Sequence, residues 1–454
     1  MRKFFGTDGM RGRANQFPMT PDILMKLATC AGNYFKKGRT HPKVVIAKDT
    51  RLSGYMIEPA LVSGFVAVGM DVLLVGPLPT PAISMLVRSL RADLGVMISA
   101  SHNPYEDNGI KLFDRHGFKL SDDVEREIES HLMEEGLSKL IEPSELGRAK
   151  RLDDAPGRYI ESVKSTFPKD LKLNGLKIVI DCAHGAAYKV APTVLWELGA
   201  DIIPIHDQPD GRNINHECGA TDVRALQKAV LEHKADVGIA LDGDADRIVM
   251  VDEKGKILDG DQLLALISKS WLERGQLRGQ CVVGTVMANL GFERFLKGLD
   301  LKLIRTSVGD RYVGEYMRTH QCNVGGEQSG HIILSDYART GDGLMASLQI
   351  LAVIVAQQKA VSEVAHVFEP MPQILQNIRF QNNGKMPLEN RRIIKSIEDG
   401  IKRLGTQGHL LVRKSGTEPL LRLMAQGEDE TLIQNVIGDI TNVIHQEGFI
   451  DIKV

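Results

Sequence analysis

Hydrophobic and polar positions alternate along this chain in a pattern that repeats three times. Each repeat contains three short apolar runs separated by segments in which apolar residues recur with a helical period. The runs occupy residues 44–47, 72–75 and 94–98, then 176–180, 201–205 and 236–241, and finally 281–283, 301–304 and 322–325. This alternation is typical of strands joined by crossover helices. It predicts α/β domains with parallel sheets and right-handed crossovers.

A different pattern follows residues 369–373, a proline-containing segment that is typical of a linker. The expected elements are strands at 374–380, 410–413 and 420–425, with helices at 391–404 and 432–444. This order predicts a smaller α+β domain with antiparallel strands. Earlier in the chain, residues 121–135 are rich in charge and helical in period, which predicts a helix with a solvated face.

Composition narrows the class of protein. A chain of 454 residues is long enough for three or four domains. A formal net charge of -2 gives no reason to expect nucleic acid as a partner. The longest apolar segment, near residues 348–356, is shorter than the ~18 residues that a membrane span needs, and residues 1–6 lack the apolar core of a signal peptide. We therefore expect a cytoplasmic protein without a membrane partner.

The cysteines are few and scattered. The five are Cys30, Cys182, Cys218, Cys281 and Cys322, and no Cys-x-x-Cys pair occurs. This spacing suggests neither a disulfide framework nor a zinc knuckle. The expectation is reduced cytosolic thiols.

The third apolar run of each repeat ends in a polar loop, and chemistry in open parallel sheets is found at this end of the strands. The first loop is Ser99-Ala-Ser-His-Asn-Pro104, in which Pro104 prevents a simple helical continuation. Ser101 and His102 are thus left at the mouth of a strand. Taken alone, the loop favours a turn that caps a helix, and Ser101 becomes a candidate nucleophile only with the rest of the chain.

The second loop, Asp242-Gly-Asp-Ala-Asp246, places carboxylates at alternate positions. Oxygen ligands so close together suit Mg²⁺ or Mn²⁺. An EF-hand is disfavoured because Arg247 stands where that loop needs glycine, and because residues 248–251 are typical of a strand. An Asp/Gly hairpin turn without a metal is the other alternative.

The third loop, Gly325-Gly-Glu-Gln-Ser-Gly-His331, carries hydrogen-bonding side chains on a glycine-rich bend. Glu327 and Ser329 suit sugar hydroxyls, and His331 could carry a proton because its ordinary pKa is about 6.5. A structural histidine is the plainer alternative. Near the start of the chain, Arg11 could meet a phosphate.

Near the end of the chain, Arg413-Lys-Ser-Gly-Thr-Glu-Pro419 combines cations, hydroxyls and a glycine, with Arg422 just beyond. Such a loop can hold an oxyanion, although a solvated turn is equally consistent with it. The sequence contains neither the P-loop nor the dinucleotide-binding glycine pattern.

Together these motifs resemble the α-D-phosphohexomutase superfamily. The residues that carry the resemblance are Phe5-Gly-Thr-Asp-Gly-Met-Arg-Gly12, the Ser101 loop, Asp242 to Arg247, Gly326 to His331 and Arg413 to Pro419. They occur in the family's order and span nearly the whole chain. The resemblance implies an α/β fold of three topologically similar domains with mixed, largely parallel sheets, plus a smaller C-terminal α+β domain, around a central cleft. We place these domains at residues 1–152, 153–254, 255–370 and 371–454.

The resemblance also implies the chemistry. A phosphorylated Ser101 would transfer its phosphoryl group to a phosphosugar, through a sugar 1,6-bisphosphate that serves as intermediate and activator. A resemblance to the bacterial members implies glucosamine phosphates as substrates and a homodimer. The implied Mg²⁺ ligands are Asp242, Asp244, Asp246 and a phosphoserine oxygen. The implied residues at the reacting end are Arg11, His102, Lys111, Arg247 and His331. Those at the sugar and the distant phosphate are Glu327, Ser329, Arg413, Ser415, Gly416, Thr417 and Arg422.

Three other functions fit parts of the pattern. Asp242-x-Asp244 matches the aspartate pair of phosphatases that form an aspartyl phosphate, although Asp246 at the following alternate position favours metal binding. A calcium-binding module without catalysis is a second alternative. The third keeps the mechanism and changes the sugar to glucose or mannose phosphate.

Overall fold

Four β-sheets, each with its own helices, make up the computed structural model, which describes residues 4–6, 8–36, 42–134, 136, 140–380, 386–414 and 420–449. The first three sheets share one arrangement of strands. In each, a central strand has a parallel neighbour on both sides, and the third strand of the unit pairs antiparallel with the next strand along the chain. The predicted fold class, with mixed and largely parallel sheets, is confirmed.

The first sheet has the order β1-β2-β6-β5-β3-β4-β7. Its strands and helices along the chain are β1 (Phe5–Gly6), β2 (Gly9–Arg13), α1 (Pro21–Phe35), β3 (Lys43–Lys48), α2 (Gly54–Ala67), β4 (Asp71–Pro77), α3 (Thr80–Ser89), β5 (Leu94–Ile98), β6 (Asp107–Asp114), α4 (Asp122–Leu132) and β7 (Ala149–Arg151). Continuous burial of β5 between two neighbours explains its unbroken apolar sequence. The polar strand β6 has no such pattern, and the sequence did not predict it.

The helix α4 has the predicted solvated face, formed by Asp123, Arg126, Glu127 and Ser130. Two of its charged residues, Glu125 and Glu129, lie instead on the buried side. Glu129 accepts a hydrogen bond from the backbone N–H of Phe4 at 2.9 Å, and Glu125 pairs with Arg311 at 2.7 Å. These partners lie 125 and 186 residues away, so local periodicity could not indicate them.

The second sheet has the order β12-β11-β10-β8-β9. Its elements are α5 (Ala155–Lys164), β8 (Lys177–Asp181), α6 (Val190–Glu197), β9 (Asp201–Ile205), α7 (Arg224–His233), β10 (Val237–Leu241), β11 (Ile248–Asp252) and β12 (Ile257–Leu258). The short strand β12 pairs with β11 although it follows residue 254.

The third sheet has the order β14-β13-β15-β16. Its elements are α8 (Gly260–Glu273), β13 (Cys281–Thr285), α9 (Leu290–Gly298), β14 (Lys302–Thr306), α10 (Asp310–His320), β15 (Val324–Gly326), β16 (Ile332–Leu334), α11 (Gly343–Gln357) and α12 (Val361–Val364). The apolar helix α11 is buried against β10, β11, α5 and α8, which explains the long apolar segment near residues 348–356. No helix among the described residues is long and apolar enough to cross a bilayer.

Two cysteines correct the prediction of reduced thiols. Cys281 and Cys322 form a disulfide, with their Cα atoms 6.3 Å apart. Cys281 opens β13 and Cys322 precedes β15, and because these strands run parallel side by side, both residues reach the same edge of the sheet. A separation of 41 residues hides this proximity in the sequence. Cys30, Cys182 and Cys218 are buried and lie outside the disulfide.

The C-terminal sheet has the order β17-β19-β18 and is antiparallel, as predicted. Its elements are β17 (Gln373–Arg379), α13 (Arg391–Leu404), β18 (Gly408–Lys414), β19 (Leu420–Gly427) and α14 (Glu430–Gln446). The buried Gln426 joins this domain to the third one: it accepts from the Leu290 N–H at 2.7 Å and donates to the Ala288 carbonyl at 3.1 Å.

Candidate active site

The Ser101 loop follows β5 and is held by fixed partners. Ser101 adopts a left-handed backbone conformation (φ 54°), which a side chain other than glycine rarely takes without support. The Ser101 N–H donates to Ser99 Oγ at 2.9 Å. Its carbonyl accepts from the buried Arg51 at 3.1 Å and from Asn215 of the second domain at 2.9 Å. The backbone of the loop is therefore held by hydrogen bonds from two domains, and none of these bonds uses the serine hydroxyl.

The Ser101 hydroxyl meets the aspartate loop. Its Oγ donates to Asp242 Oδ2 at 2.7 Å, and the Nδ1 of His102 lies 3.4 Å away. Burial, Arg247 and Arg11 lower the pKa of His102 to about 4, so its ring is neutral at neutral pH. Two loops 141 residues apart in sequence thus form one site.

The aspartate loop is the hairpin between β10 and β11, which pair antiparallel from Leu241 and Ile248 outward. A strand on each side of the loop rules out the EF-hand alternative, which requires helices. The N–H of Arg247 donates to Asp242 Oδ1 at 3.2 Å and closes the turn. Three carboxylates are therefore presented together at the end of the sheet.

These three carboxylates can hold one metal ion. Asp242, Asp244 and Asp246 are all buried and offer one oxygen each within 4.8 Å of the others. In the described part of the chain, the Oδ1 atoms of Asp244 and Asp246 are buried without a hydrogen-bond partner. Burial and the two neighbouring carboxylates raise the pKa of Asp242 to about 8. Orphaned, mutually repelling oxygens are the donor set that a small divalent cation prefers, so the residues fit such an ion.

Lys111, on β6, is the cation already in this cluster. Its side chain is 2% exposed, and its Nζ lies 2.8 Å from Asp244 and 3.0 Å from Asp246. Although burial opposes it, the charge of these two aspartates raises the pKa of Lys111 well above its ordinary value. Lys111 therefore stays protonated. Thr80, at the start of α3, donates a further hydrogen bond to Asp244.

A chain of alternating charges extends from Lys111 around the site. Asp8 lies 3.4 Å from Lys111 and also pairs with Arg11 and Lys119. Lys119 continues to Asp310, at the start of α10. Because Asp310 belongs to the third domain, this network joins two domains beside the three aspartates.

His331 closes the network from the third loop, which lies between β15 and β16. Its Nδ1 is 3.5 Å from Asp246 and its Nε2 is 3.2 Å from Asp310. Burial lowers the pKa of His331, but these two carboxylates outweigh it and raise the pKa above the ordinary value. The N–H of Gly341 donates to Nε2 at 3.1 Å and orients the ring.

Gly330 allows this loop to approach the second domain. It adopts φ 90°, and an added Cβ would lie 1.9 Å from the Ile248 carbonyl oxygen. Its own carbonyl accepts from the Ile248 N–H at 3.0 Å. Glu327 is half-buried and accepts from the Gly309 N–H at 3.1 Å, whereas Ser329 is exposed at the tip of the loop.

The remaining predicted residues lie in the C-terminal domain. Arg413 on β18 and Arg422 on β19 are directly opposite each other, and burial together with Arg422 lowers the pKa of Arg413. Within the described ranges, neither arginine has a carboxylate partner or a hydrogen bond to the Ser101 loop. Ser415, Gly416 and Thr417 lie outside the residues that the structure describes.

Sequence reasoning missed several residues of this site: Asp8, Asp49, Arg51, Thr80, Lys119, Asn215 and Asp310. Two of them carried a usable signal, since Asp49 and Arg51 directly follow an apolar run and so lie at a strand end. Arg51 is fully buried, pairs with Asp49 and donates to the Ser101 carbonyl. Lys119 and Asp310 carried no signal in the sequence, because their roles depend on a contact between domains.

Comparison with known proteins agrees with this architecture. Four family models of phosphoglucomutase/phosphomannomutase match in order: alpha/beta/alpha domain I at residues 2–139, domain II at 157–255, domain III at 259–371 and the C-terminal domain at 375–443. The phosphoglucosamine mutase of Rhodospirillum centenum is 59% identical over 449 residues, covering 98% of this chain and 95% of its own. That of Parvibaculum lavamentivorans is 58% identical over 448 residues, covering 98% and 99%.

Solved structures share the fold. A phosphoglucomutase/phosphomannomutase family protein from Burkholderia thailandensis has a TM-score of 0.81 at 22% identity, covering 98% of each chain. The N-acetylphosphoglucosamine mutase of Aspergillus fumigatus, solved in complex with GlcNAc-6P and magnesium, has a TM-score of 0.68 at 18% identity, covering 98% of this chain and 96% of its own. With its four matched domains and its near-full-length relatives, this chain belongs to the α-D-phosphohexomutase superfamily and, within it, to the family of the bacterial phosphoglucosamine mutases.

Proposed function

We propose that this protein interconverts glucosamine 6-phosphate and glucosamine 1-phosphate. The observation that carries the proposal is the Ser101 hydroxyl, which lies 2.7 Å from Asp242 at the edge of a buried three-carboxylate cluster. Relatives at 57–59% identity over nearly the full chain are phosphoglucosamine mutases, which supports glucosamine as the sugar.

Ser101 carries the phosphoryl group in this proposal. With glucosamine 6-phosphate bound, the bond between phosphorus and Ser101 Oγ breaks as the sugar O1 bonds to phosphorus. The O1–H proton leaves to a base, Ser101 Oγ takes up a proton, and the product is a sugar 1,6-bisphosphate. After the bisphosphate turns end for end, Ser101 Oγ loses its proton and bonds to the 6-phosphorus as the bond between phosphorus and O6 breaks. O6 takes up a proton, and glucosamine 1-phosphate leaves. The serine ends phosphorylated, as it began.

The aspartate cluster would hold one Mg²⁺ through Asp242, Asp244 and Asp246, with a phosphoserine oxygen as a further ligand. Bound there, the ion would offset negative charge on the transferring group. The two orphaned Oδ1 atoms and the raised pKa of Asp242 support this assignment.

The surrounding cations position and neutralise the phosphoryl group. Lys111 keeps its proton, so we assign it an electrostatic role and not that of a base. Arg247 and Arg11 are further cations near these carboxylates, whose charges raise the pKa of both guanidinium groups against the effect of burial. His331 is the proposed proton carrier, because an imidazole ordinarily titrates near neutrality and its two ring nitrogens face Asp246 and Asp310. His102 is neutral beside Ser101 and orients the hydroxyl or the bound phosphate.

Substrate binding is assigned to the third and fourth domains. Glu327 and Ser329 would meet the sugar hydroxyls. Arg413 and Arg422, two adjacent cations without a carboxylate partner among the described residues, would hold the non-reacting phosphate. The neighbouring Ser415, Gly416 and Thr417 stay part of this proposed anchor.

Activity on three sugars tests the proposal. The purified protein, with Mg²⁺ and a trace of sugar 1,6-bisphosphate, should convert glucosamine 6-phosphate faster than glucose 6-phosphate or mannose 6-phosphate. Ser101→Ala should lower turnover by orders of magnitude with the fold intact, and Arg413→Ala should chiefly weaken substrate binding. Faster turnover of glucose 6-phosphate or mannose 6-phosphate would keep the proposed mechanism but change the proposed sugar. Near-normal activity of Ser101→Ala would refute the assignment of Ser101 as the nucleophile.

Mass spectrometry separates this reading from the aspartyl-phosphate alternative. An acid-stable phosphate on Ser101 supports the mutase, whereas an acyl phosphate on Asp242 supports the phosphatase. Calcium binding without any mutase activity would support the non-catalytic module.

Four further predictions are kept as parts of the proposal. They are a cytoplasmic location, a homodimer, the bisphosphate as activator, and domains at 1–152, 153–254, 255–370 and 371–454. The short strand β12 belongs to the second sheet although it follows residue 254.

A further inference from the structure

A second group of metal-ligating side chains lies in the second domain, away from the three aspartates. Asp181 ends β8, His206 directly follows β9, and Cys218 lies in the segment that leads to α7. One ligand atom of each lies within 4.8 Å of the other two. Asp181 and Cys218 are fully buried, and His206 is partly buried.

Two of the ligand atoms are already in contact. The Nδ1 of His206 lies 3.0 Å from Asp181 Oδ2, which makes the two side chains an ion pair when the imidazole is protonated. Two ligands of one tetrahedral zinc ion, each about 2.0–2.1 Å from it, are about 3.3 Å apart. The observed separation is close to that value.

Backbone groups hold the carboxylate in place. Asp181 Oδ1 accepts from the Ala183 N–H at 2.9 Å, and Oδ2 accepts from the Gly219 N–H at 2.9 Å. Each carboxylate oxygen has a second lone pair, so both bonds persist when a metal binds. Outer partners of this kind orient ligands in metal sites.

A candidate for a fourth ligand is close by. The rings of His184 and His206 are 5.2 Å apart, and in the part of the chain that the structure describes the Nδ1 of His184 is buried without a hydrogen-bond partner. The His184 N–H donates to the His206 carbonyl, which fixes the two residues relative to each other.

The geometry points to a zinc site formed by Asp181, His206 and Cys218, with His184 or water as the fourth ligand. A thiolate and an imidazole beside one carboxylate select Zn²⁺ over Mg²⁺, which prefers oxygen ligands only. Cys218 is protonated in the metal-free chain, because burial raises its pKa to about 12. Binding therefore forms the Zn–S bond and releases the thiol proton to solvent.

The site would order the support of the Ser101 loop. Asn215 lies between His206 and Cys218 and donates to the carbonyls of Ser101, at 2.9 Å, and Asn103, at 3.1 Å. Zinc ties both ends of this segment to β8, so it should raise the melting midpoint of the protein.

Cobalt(II) is the probe that distinguishes this site from the three aspartates. The metal-free full-length protein is titrated with Co²⁺ in excess Mg²⁺, and the thiolate-to-cobalt charge-transfer absorption is recorded. We expect one Co²⁺ per chain with this absorption, displaced by Zn²⁺. Cys218→Ser and His206→Ala should weaken binding by more than the ~10- to 100-fold that loss of an outer partner costs. Cys30→Ser, which removes another buried thiol, and Asp242→Asn should bind normally.

Melting curves complete the test. Zn²⁺ should raise the melting midpoint of the unmodified protein and of Cys30→Ser, but not that of Cys218→Ser. No charge-transfer absorption in excess Co²⁺, or the same absorption in Cys218→Ser, would overturn the zinc site. These readouts do not use mutase activity, so their failure leaves the proposed function untouched.

Discussion

Replacing Lys111 by methionine tests the electrostatics on which the active site depends. Methionine keeps the length of the side chain and removes its charge. Lys111 is the buried cation between Asp244 and Asp246, and without it these carboxylates face each other with no ammonium group between them. We therefore expect the variant to fold less stably when no divalent cation is present.

The structure sets the size of the effect. An ion pair at 2.8 Å is worth about 6 kcal/mol at an effective dielectric constant of about 20. Burying the ammonium group costs several kcal/mol, so the net loss on removing one partner of such a pair is about 3–5 kcal/mol. For a domain of this size, a loss of that order lowers the melting midpoint by about 10 °C.

Magnesium should reverse most of the loss. A divalent cation among the carboxylates supplies the charge that methionine removed, so Mg²⁺ should raise the melting midpoint of Lys111→Met more than that of the unmodified protein. The assay is thermal unfolding of both proteins in EDTA and in excess Mg²⁺, with catalytic activity measured alongside. Activity should stay low in Lys111→Met even with Mg²⁺, because the proposed mechanism also assigns the ammonium group to the charge of the transferring phosphoryl group.

Lys228→Met is the matched control. Lys228 is exposed, and among the residues that the structure describes it pairs only with Glu232, at 3.6 Å, so its loss should change stability by less than about 1 kcal/mol, with or without Mg²⁺. Equal stability of Lys111→Met and the unmodified protein in EDTA would refute the reasoning. An equal Mg²⁺-induced shift in both would refute the proposed coupling between the lysine and the metal.

Three further predictions follow. Burial raises the pKa of Asp342 to about 6, so its protonated form stabilises the fold at low pH and this contribution is lost as the pH rises through 6. Between pH 5 and pH 8, the free energy of unfolding of Asp342→Asn should therefore rise by about 1.4 kcal/mol relative to that of the unmodified protein. Urea unfolding measures both free energies, and a difference between them that does not change with pH would contradict this. An alanine Cβ at Gly341 would lie 2.4 Å from His331 Nε2, so Gly341→Ala should lower kcat about 100-fold through displacement of the ring, whereas Gly157→Ala, with open space around it, should not. Asn215→Gly keeps the left-handed backbone but removes the amide that holds the Ser101 loop, so kcat should fall while KM changes little; an unchanged kcat would remove this support role.

The sequence by itself determined the local structure of most of the chain. Strands such as β5 and β10 are buried on both faces, so their residues form continuous apolar runs that one stretch of sequence reveals. The polar loops after these strands were equally visible. A loop after a buried strand can carry serine, aspartate or histidine because it lies at the edge of the sheet, and this position predicted where the chemistry would be found.

Tertiary structure decided which residues meet. Lys111 lies on β6, whose polar residues are buried by ion pairs, so hydrophobic periodicity could not detect the strand. The same holds for Lys119 with Asp310, Glu125 with Arg311, and the Cys281–Cys322 disulfide. Apolar periodicity shows which face of a helix or strand is buried. The partner of a buried charge or thiol depends instead on how distant elements cross, and only the folded chain defines that.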